Sequence, residues 1–130
     1  MTRWVGAWAP AAVWAAVLYL LSSRSSLPMP RVEGIDKVGH FFASLILGFL
    51  SARATKRLDT SALLAIAVGW TYGVVDEFHQ SAVPGRVPSF ADWIADAAGV
   101  VIGVSLYLLL RRAADQGVPA PGLDGAESNR

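Results

Sequence analysis

The segment DEFHQSAVPGRVPSFADWIAD, from Asp76 to Asp96, gathers Asp76, Glu77, His79, Gln80, Arg86, Asp92 and Asp96 into one short stretch. Carboxylates beside an imidazole suit general acid–base work or the binding of a divalent cation. With His40, the pair of imidazoles and the carboxylates Asp76, Glu77, Asp92 and Asp96 form an N/O donor set of the kind that takes Zn²⁺, Mn²⁺ or Fe. The H-x-x-x-H and H-x-x-E-H spacings of helical metal motifs are missing, so the competing reading is two interfacial hydrogen-bonding histidines. Lys37 and Arg86 are the cations that could clamp a lipid phosphate or pyrophosphate. Their alternative is salt bridging to Asp36, Asp76, Glu77 or Asp92. Ser89-x-x-Asp92 reads as a capping box with Asp in place of Glu, a structural role that competes with a chemical one for Asp92. Pro84-Gly85 reads as a turn that brings Arg86 back over the cluster.

These polar residues sit among very apolar ones. The 130 residues are 54% hydrophobic with a net charge of +1. That is too apolar for an ordinary soluble domain and argues against a nucleic-acid binder. Cysteine is absent, which excludes disulfides and thiolate metal sites. Four apolar segments, 4–21, 38–54, 61–78 and 90–110, are each about long enough to cross a ~30 Å hydrocarbon core. Helices satisfy their own backbones in lipid, so the predicted fold is all-α: a four-helix polytopic membrane domain over residues 1–112. Residues 113–130, rich in Gly, Pro, Asp and Ser, are predicted to form a disordered cytoplasmic tail. The first segment also suits the apolar region of a signal peptide, but no Ala-x-Ala site lies near Leu21, which favours a retained helix.

Basic residues set the expected orientation. Arg3, then Arg53, Lys56 and Arg57, then Arg111 and Arg112 fall on one side of a four-pass chain, which predicts both termini in the cytoplasm. Helices alternate in direction, so the start of helix 2, the end of helix 3 and the start of helix 4 share the other, outward face. Asp36, Lys37 and His40 therefore join the Asp76–Asp96 cluster. Lys37 and His40 are three apart, Asp76 is three and four from His79 and Gln80, and Asp92 is four from Asp96, so each set shares a helix face. Asp96 lies ~10 Å into helix 4 at ~1.5 Å per residue, and a carboxylate at that depth should face the bundle interior. Gly99-x-x-x-Gly103, with Gly48, Gly69 and Gly73, predicts close helix packing.

The assembled pieces, DKVGHFFASLILGFL at 36–50, DEFHQ at 76–80, PGR at 84–86 and D-x-x-x-D-x-x-G at 92–99, resemble the VanZ-like family of small membrane proteins. In that family Asn is also common at the position of Asp96. The prototype is an accessory protein of resistance to the glycopeptide teicoplanin, so the resemblance implies a cell-envelope role without supplying a reaction.

Three functional readings follow. The first is an outward-facing site for an amphiphile, such as a lipid-linked envelope intermediate or a lipoglycopeptide antibiotic. The second is a membrane-embedded hydrolase or transferase acting on a phosphate or acyl group, with Asp76 or Glu77 as acid or base, His79 assisting and Arg86 stabilising charge. The third is a structural or assembly protein in which the cluster only locks helix ends. The expected site is Asp76, Glu77, His79, Gln80, Arg86, Lys37, His40, Asp92 and Asp96, with His40, His79, Asp76 and Glu77 the foremost candidates to ligate a divalent cation. The one partner common to all three readings is the lipid bilayer.

Overall fold

The computed structural model describes residues 2–24 and 34–116. They form four α-helices: α1 (Thr2–Ser22), α2 (Ile35–Arg57), α3 (Ala62–Gln80) and α4 (Phe90–Gln116). No strand occurs among the described residues. Each helix lies where an apolar segment predicts it. α1 continues as helix through Pro10. α2 starts three residues earlier than expected, behind Gly34 at φ 85°, which draws Asp36 and Lys37 into its first turn. α3 opens on Ser61, whose Oγ accepts from Leu63 N at 3.2 Å as an N-cap. α4 runs past the expected Leu110 to Gln116, and residues 117–130 of the expected tail lie outside the described residues.

α1, α2 and α4 are long and apolar enough to cross a membrane. α3 is not among these three, and Asp76, Glu77, His79 and Gln80 fill its last turns. Large apolar side chains point outward along every helix, among them Val5, Val13 and Leu20 on α1, Leu63 and Phe78 on α3, and Leu109 on α4. So much unbroken apolar surface suits lipid and would be a liability in water. The chain is a membrane protein.

Small residues make the centre. Ala52, Ala65, Val100 and Val104 form the buried core. The closest pairing is α2 with α4. A Cβ placed on Gly99 would overlap Phe41 O, one on Gly103 would overlap Leu45 O, and one on Gly48 would overlap Val100 O. Lipid supplies no hydrophobic drive for helix association, so backbone-to-backbone approach at glycine provides the dispersion contact. Gly69 serves α3 in the same way, receiving the Val100 side chain.

Polar contacts at mid-helix tie α1 to both of its neighbours. Trp14 Nε1 donates to Ala43 O at 2.9 Å, and Tyr72 Oη donates to Ala15 O at 3.0 Å. Each partly buried bond contributes about 1 kcal/mol. Tyr72→Phe is therefore expected to lower unfolding free energy by about 1 kcal/mol, read from denaturant unfolding of the purified protein, with α2–α4 packing undisturbed. At one end of the bundle, Arg3 donates to Arg57 O at 3.0 Å and lies 3.7 Å from Asp59, so the start of α1 meets the α2–α3 connection. The acidic cluster occupies the other end.

Candidate functional site

The close approach of α2 and α4 creates a polar ladder just beyond the glycines. Lys37, His40 and Ser44 step along one face of α2, and Asp92 and Asp96 step along the facing side of α4. Ser44 Oγ donates to Asp96 Oδ1 at 2.6 Å. His40 Nδ1 lies 3.2 Å from Asp96 Oδ2 and 3.3 Å from Oδ1. Lys37 Nζ is 3.0 Å from Asp92 Oδ1 and bonds Asp36 Oδ2 at 3.2 Å. The Lys37–Asp92 contact is an ion pair by distance, without the angles of a hydrogen bond. Asp96 and Asp92 are both buried, so the depth expected of Asp96 is matched by its interior position.

α3 contributes from the side. Asp76 and Gln80, one turn apart, are both buried, and Gln80 Nε2 donates to Asp76 Oδ2 at 2.7 Å. Asp76 Oδ1 is buried with no hydrogen-bond partner among the described residues. Glu77 Oε2 accepts from Ser89 N at 2.8 Å, and its Oε1 is also buried without a partner. The expected capping box at Ser89 is half formed within the segment: Ser89 Oγ accepts from Asp92 N at 3.4 Å. The reciprocal acceptor for Ser89 N is Glu77 from another helix, not Asp92, whose carboxylate faces Lys37. Glu77 thereby ties the end of α3 to the start of α4.

The turn between them forms as expected. Arg86 N donates to Val83 O at 3.1 Å around Pro84-Gly85, with Gly85 at φ 82°. Proline followed by glycine at positive φ is the pattern of a type II turn, and a Cβ at Gly85 would be strained there. Arg86 Nε is buried without a hydrogen-bond partner, and Arg86 makes no ion pair among the described residues. The salt-bridge reading of Arg86 is not realised, whereas that of Lys37 is.

His79 goes elsewhere. Its ring stacks on Tyr19 of α1 at 4.2 Å between centroids, and Nε2 lies 2.9 Å from Ser23 Oγ. It shares a helix face with Asp76 in sequence spacing, yet its imidazole is used to hold α1. The ligand atoms that converge belong instead to His40, Glu77 and Asp96, which each place one within 4.8 Å of the other two. Of the foremost metal candidates, His40 and Glu77 belong to this set, Asp96 joins them, and His79 and Asp76 stand outside it.

A cavity of about 180 Å³ opens between α1, α2 and α3 beside the ladder. Its lining joins polar Asp36, His40, Ser44, Asp76, Gln80, Arg86 and Asp96 with Leu18, Leu21, Ala43 and Tyr72. Sequence reasoning overlooked Ser44, Tyr72 and the whole α1 wall. Ser44 was findable, since it stands one turn after His40 on the same face. The α1 residues carry no chemical signal and join the site only through packing.

A search of curated proteins found no match, and a search of solved structures found none. The family model VanZ/LLP1 matches residues 3–111, which takes in all four helices and every residue of the cluster. With that match over most of its length and the predicted helices in place, the chain belongs to the VanZ/LLP1 family.

Proposed function

We propose that this protein holds the headgroup of an amphiphile in the cavity between α1, α2 and α3, on the outer face of the cell membrane. The observation that carries the reading is the mixed lining of the cavity: carboxylate, imidazole, amide and guanidinium groups share about 180 Å³ with leucine and tyrosine. A ligand whose polar group enters this space can leave its acyl chain along the exposed apolar flanks of the helices. Candidate ligands are lipid-linked envelope intermediates and lipoglycopeptides, and the family's link to teicoplanin resistance supports the second. The buried Arg86 Nε and Asp76 Oδ1, which have no hydrogen-bond partner among the described residues, offer one donor and one acceptor to such a headgroup. In this reading α3 also spans the bilayer, and both termini lie in the cytoplasm, in line with Arg3, Arg53, Lys56, Arg57, Arg111 and Arg112 at the opposite end.

Binding to purified protein tests this directly. Teicoplanin and a polyprenyl phosphate, titrated separately, are expected to raise the thermal unfolding temperature in a saturable way for at least one of them. Arg86→Gln and Asp76→Asn are expected to weaken that binding about tenfold, 1.4 kcal/mol, at unchanged protein level. In cells, the same variants should lose any teicoplanin tolerance that the parent chain confers. Saturable binding that both variants retain in full would reject the site. Conversion of the polyprenyl phosphate, lost in Glu77→Gln, would replace holding by catalysis.

A further inference from the structure

We propose that His40, Glu77 and Asp96 bind one divalent metal ion, Mn²⁺ or Zn²⁺, at the cavity end of the bundle. Three helices bring the donors together: His40 from α2, Glu77 from α3 and Asp96 from α4. Their ligand atoms lie within 4.8 Å of one another. The His40 Nδ1 to Asp96 separations, 3.2 and 3.3 Å, are long for a charge-assisted hydrogen bond, which runs ~2.7–2.9 Å. They match the edge between two ligands that each stand ~2.1 Å from a shared tetrahedral ion, about 3.4 Å.

The supporting contacts are those of a metal site. Each carboxylate is oriented through one oxygen by a donor that is not itself a ligand: Ser44 Oγ on Asp96 Oδ1 at 2.6 Å, and Ser89 N on Glu77 Oε2 at 2.8 Å. The other Glu77 oxygen is buried with no partner among the described residues. A separate observation points to a ligand. Asp76 is only 7% exposed, lines the same cavity as His40 and Asp96, and, with Oδ2 taken by Gln80, leaves Oδ1 without a partner among the described residues.

Charge favours the same conclusion. Lys37 is engaged by Asp36 and Asp92, and Arg86 pairs with no carboxylate among the described residues. Asp76, Glu77 and Asp96 therefore set three carboxylates against the Arg86 guanidinium on the cavity wall and the His40 imidazole, and an excess of buried carboxylates is costly. A divalent cation offsets it. One imidazole with two carboxylates, and no thiolate, suits Mn²⁺ or Zn²⁺ rather than a soft ion. Three protein ligands leave coordination positions for water or an incoming oxygen. The site stands whether or not the cavity holds an amphiphile.

The test uses the full chain, purified in detergent and stripped with a chelator. Mn²⁺ is titrated by electron paramagnetic resonance and Zn²⁺ by competition with a chromophoric chelator. One ion per chain is expected, with a nitrogen hyperfine coupling on bound Mn²⁺ that disappears in His40→Ala. Glu77→Gln and His40→Ala should each weaken binding at least tenfold, and Ser44→Ala about tenfold through loss of ligand orientation. Far-ultraviolet circular dichroism and thermal unfolding check that the variants are folded; Glu77 is only partly buried, so Glu77→Gln keeps the test open if another variant misfolds. No saturable uptake, or equal affinity in Glu77→Gln, His40→Ala and the parent, would overturn the proposal. Teicoplanin and polyprenyl phosphate are titrated on the stripped protein as well. Their binding without metal uptake removes the ion and leaves the amphiphile site standing, and metal uptake without either supports the ion alone.

Discussion

Gly103→Val is expected to destroy the bundle. A Cβ at Gly103 overlaps Leu45 O and comes within 2.9 Å of both Leu45 C and Phe49 N. All three are backbone atoms of α2, so no side-chain rotation relieves the contact. The two helices must separate, and separation also costs the contacts of Gly99 with Phe41 and of Gly48 with Val100, because these lie along the same seam. Overpacking in a protein core typically costs ~1–3 kcal/mol, and a backbone clash belongs at or above the top of that range. Set against a total stability of ~5–15 kcal/mol, this is a large fraction. Accumulation in membranes is expected to fall severalfold, and the purified remainder to unfold at much lower denaturant concentration. Gly6→Ala is the control. Apart from its own helix, no described atom lies within 4 Å of its added methyl, and replacing glycine within a helix should stabilise by up to about 1 kcal/mol. Equal stability of Gly103→Val and the parent would mean that α2 and α4 do not meet as described.

Asp96→Ala is the second large effect. This carboxylate receives Ser44 Oγ at 2.6 Å and His40 at 3.2 Å, and is 5% exposed. Its removal leaves a buried hydroxyl without an acceptor and a part-buried imidazole without its carboxylate. The expected cost is about 3 kcal/mol, at the low end for breaking a buried pair because His40 keeps some access to water. Asp96→Asn should cost only about 1 kcal/mol, since its carbonyl still accepts from Ser44. That agrees with the occurrence of Asn at this position in the resembling family. A double-mutant cycle separates the parts: Ser44→Ala in the Asp96→Ala background should add little, because the hydroxyl that it removes has already lost its partner. Full additivity of the two changes would show that the Ser44–Asp96 bond contributes no coupling. The asparagine variant also parts fold from chemistry. It should keep the bundle while weakening the proposed metal site, in which it supplies a poorer ligand than carboxylate.

Both predictions rest on features that differ in how far the chain alone reveals them. Apolar length and the demand that backbones be satisfied in lipid determine four helices, and α1 to α4 lie close to the expected segments. Alternating helix direction places Lys37, His40, Asp76, Glu77, Asp92 and Asp96 at one bundle end without any knowledge of packing. Gly99-x-x-x-Gly103 likewise announces a close seam, because small residues four apart make a flat helix face. The PGR turn is equally local, since Gly85 alone accepts its positive φ at no cost.

Partnership within the cluster was not legible. Asp76, His79 and Gln80 share a face by spacing, but a face spans more than one neighbour. Gln80 keeps to Asp76 one turn away on the same helix, while tertiary packing sent His79 to Tyr19 of α1 and to Ser23 just past its end. The capping box at Ser89 has an acidic residue at the right interval, yet Glu77 from α3 takes the Ser89 N–H and Asp92 turns to Lys37. Both choices depend on distances between helices, which are decided by where glycine lets backbones touch, and local periodicity carries no such term. The α1 wall of the cavity is the extreme case. Leu18 and Leu21 are ordinary apolar residues in sequence and become part of the site only because Trp14 and Tyr72 fasten α1 beside it. The chain by itself thus determined which groups meet at which end of the bundle; the packed bundle decided which atoms face each other, because hydrogen-bond and metal geometry act over fractions of an ångström and helical periodicity resolves only a face.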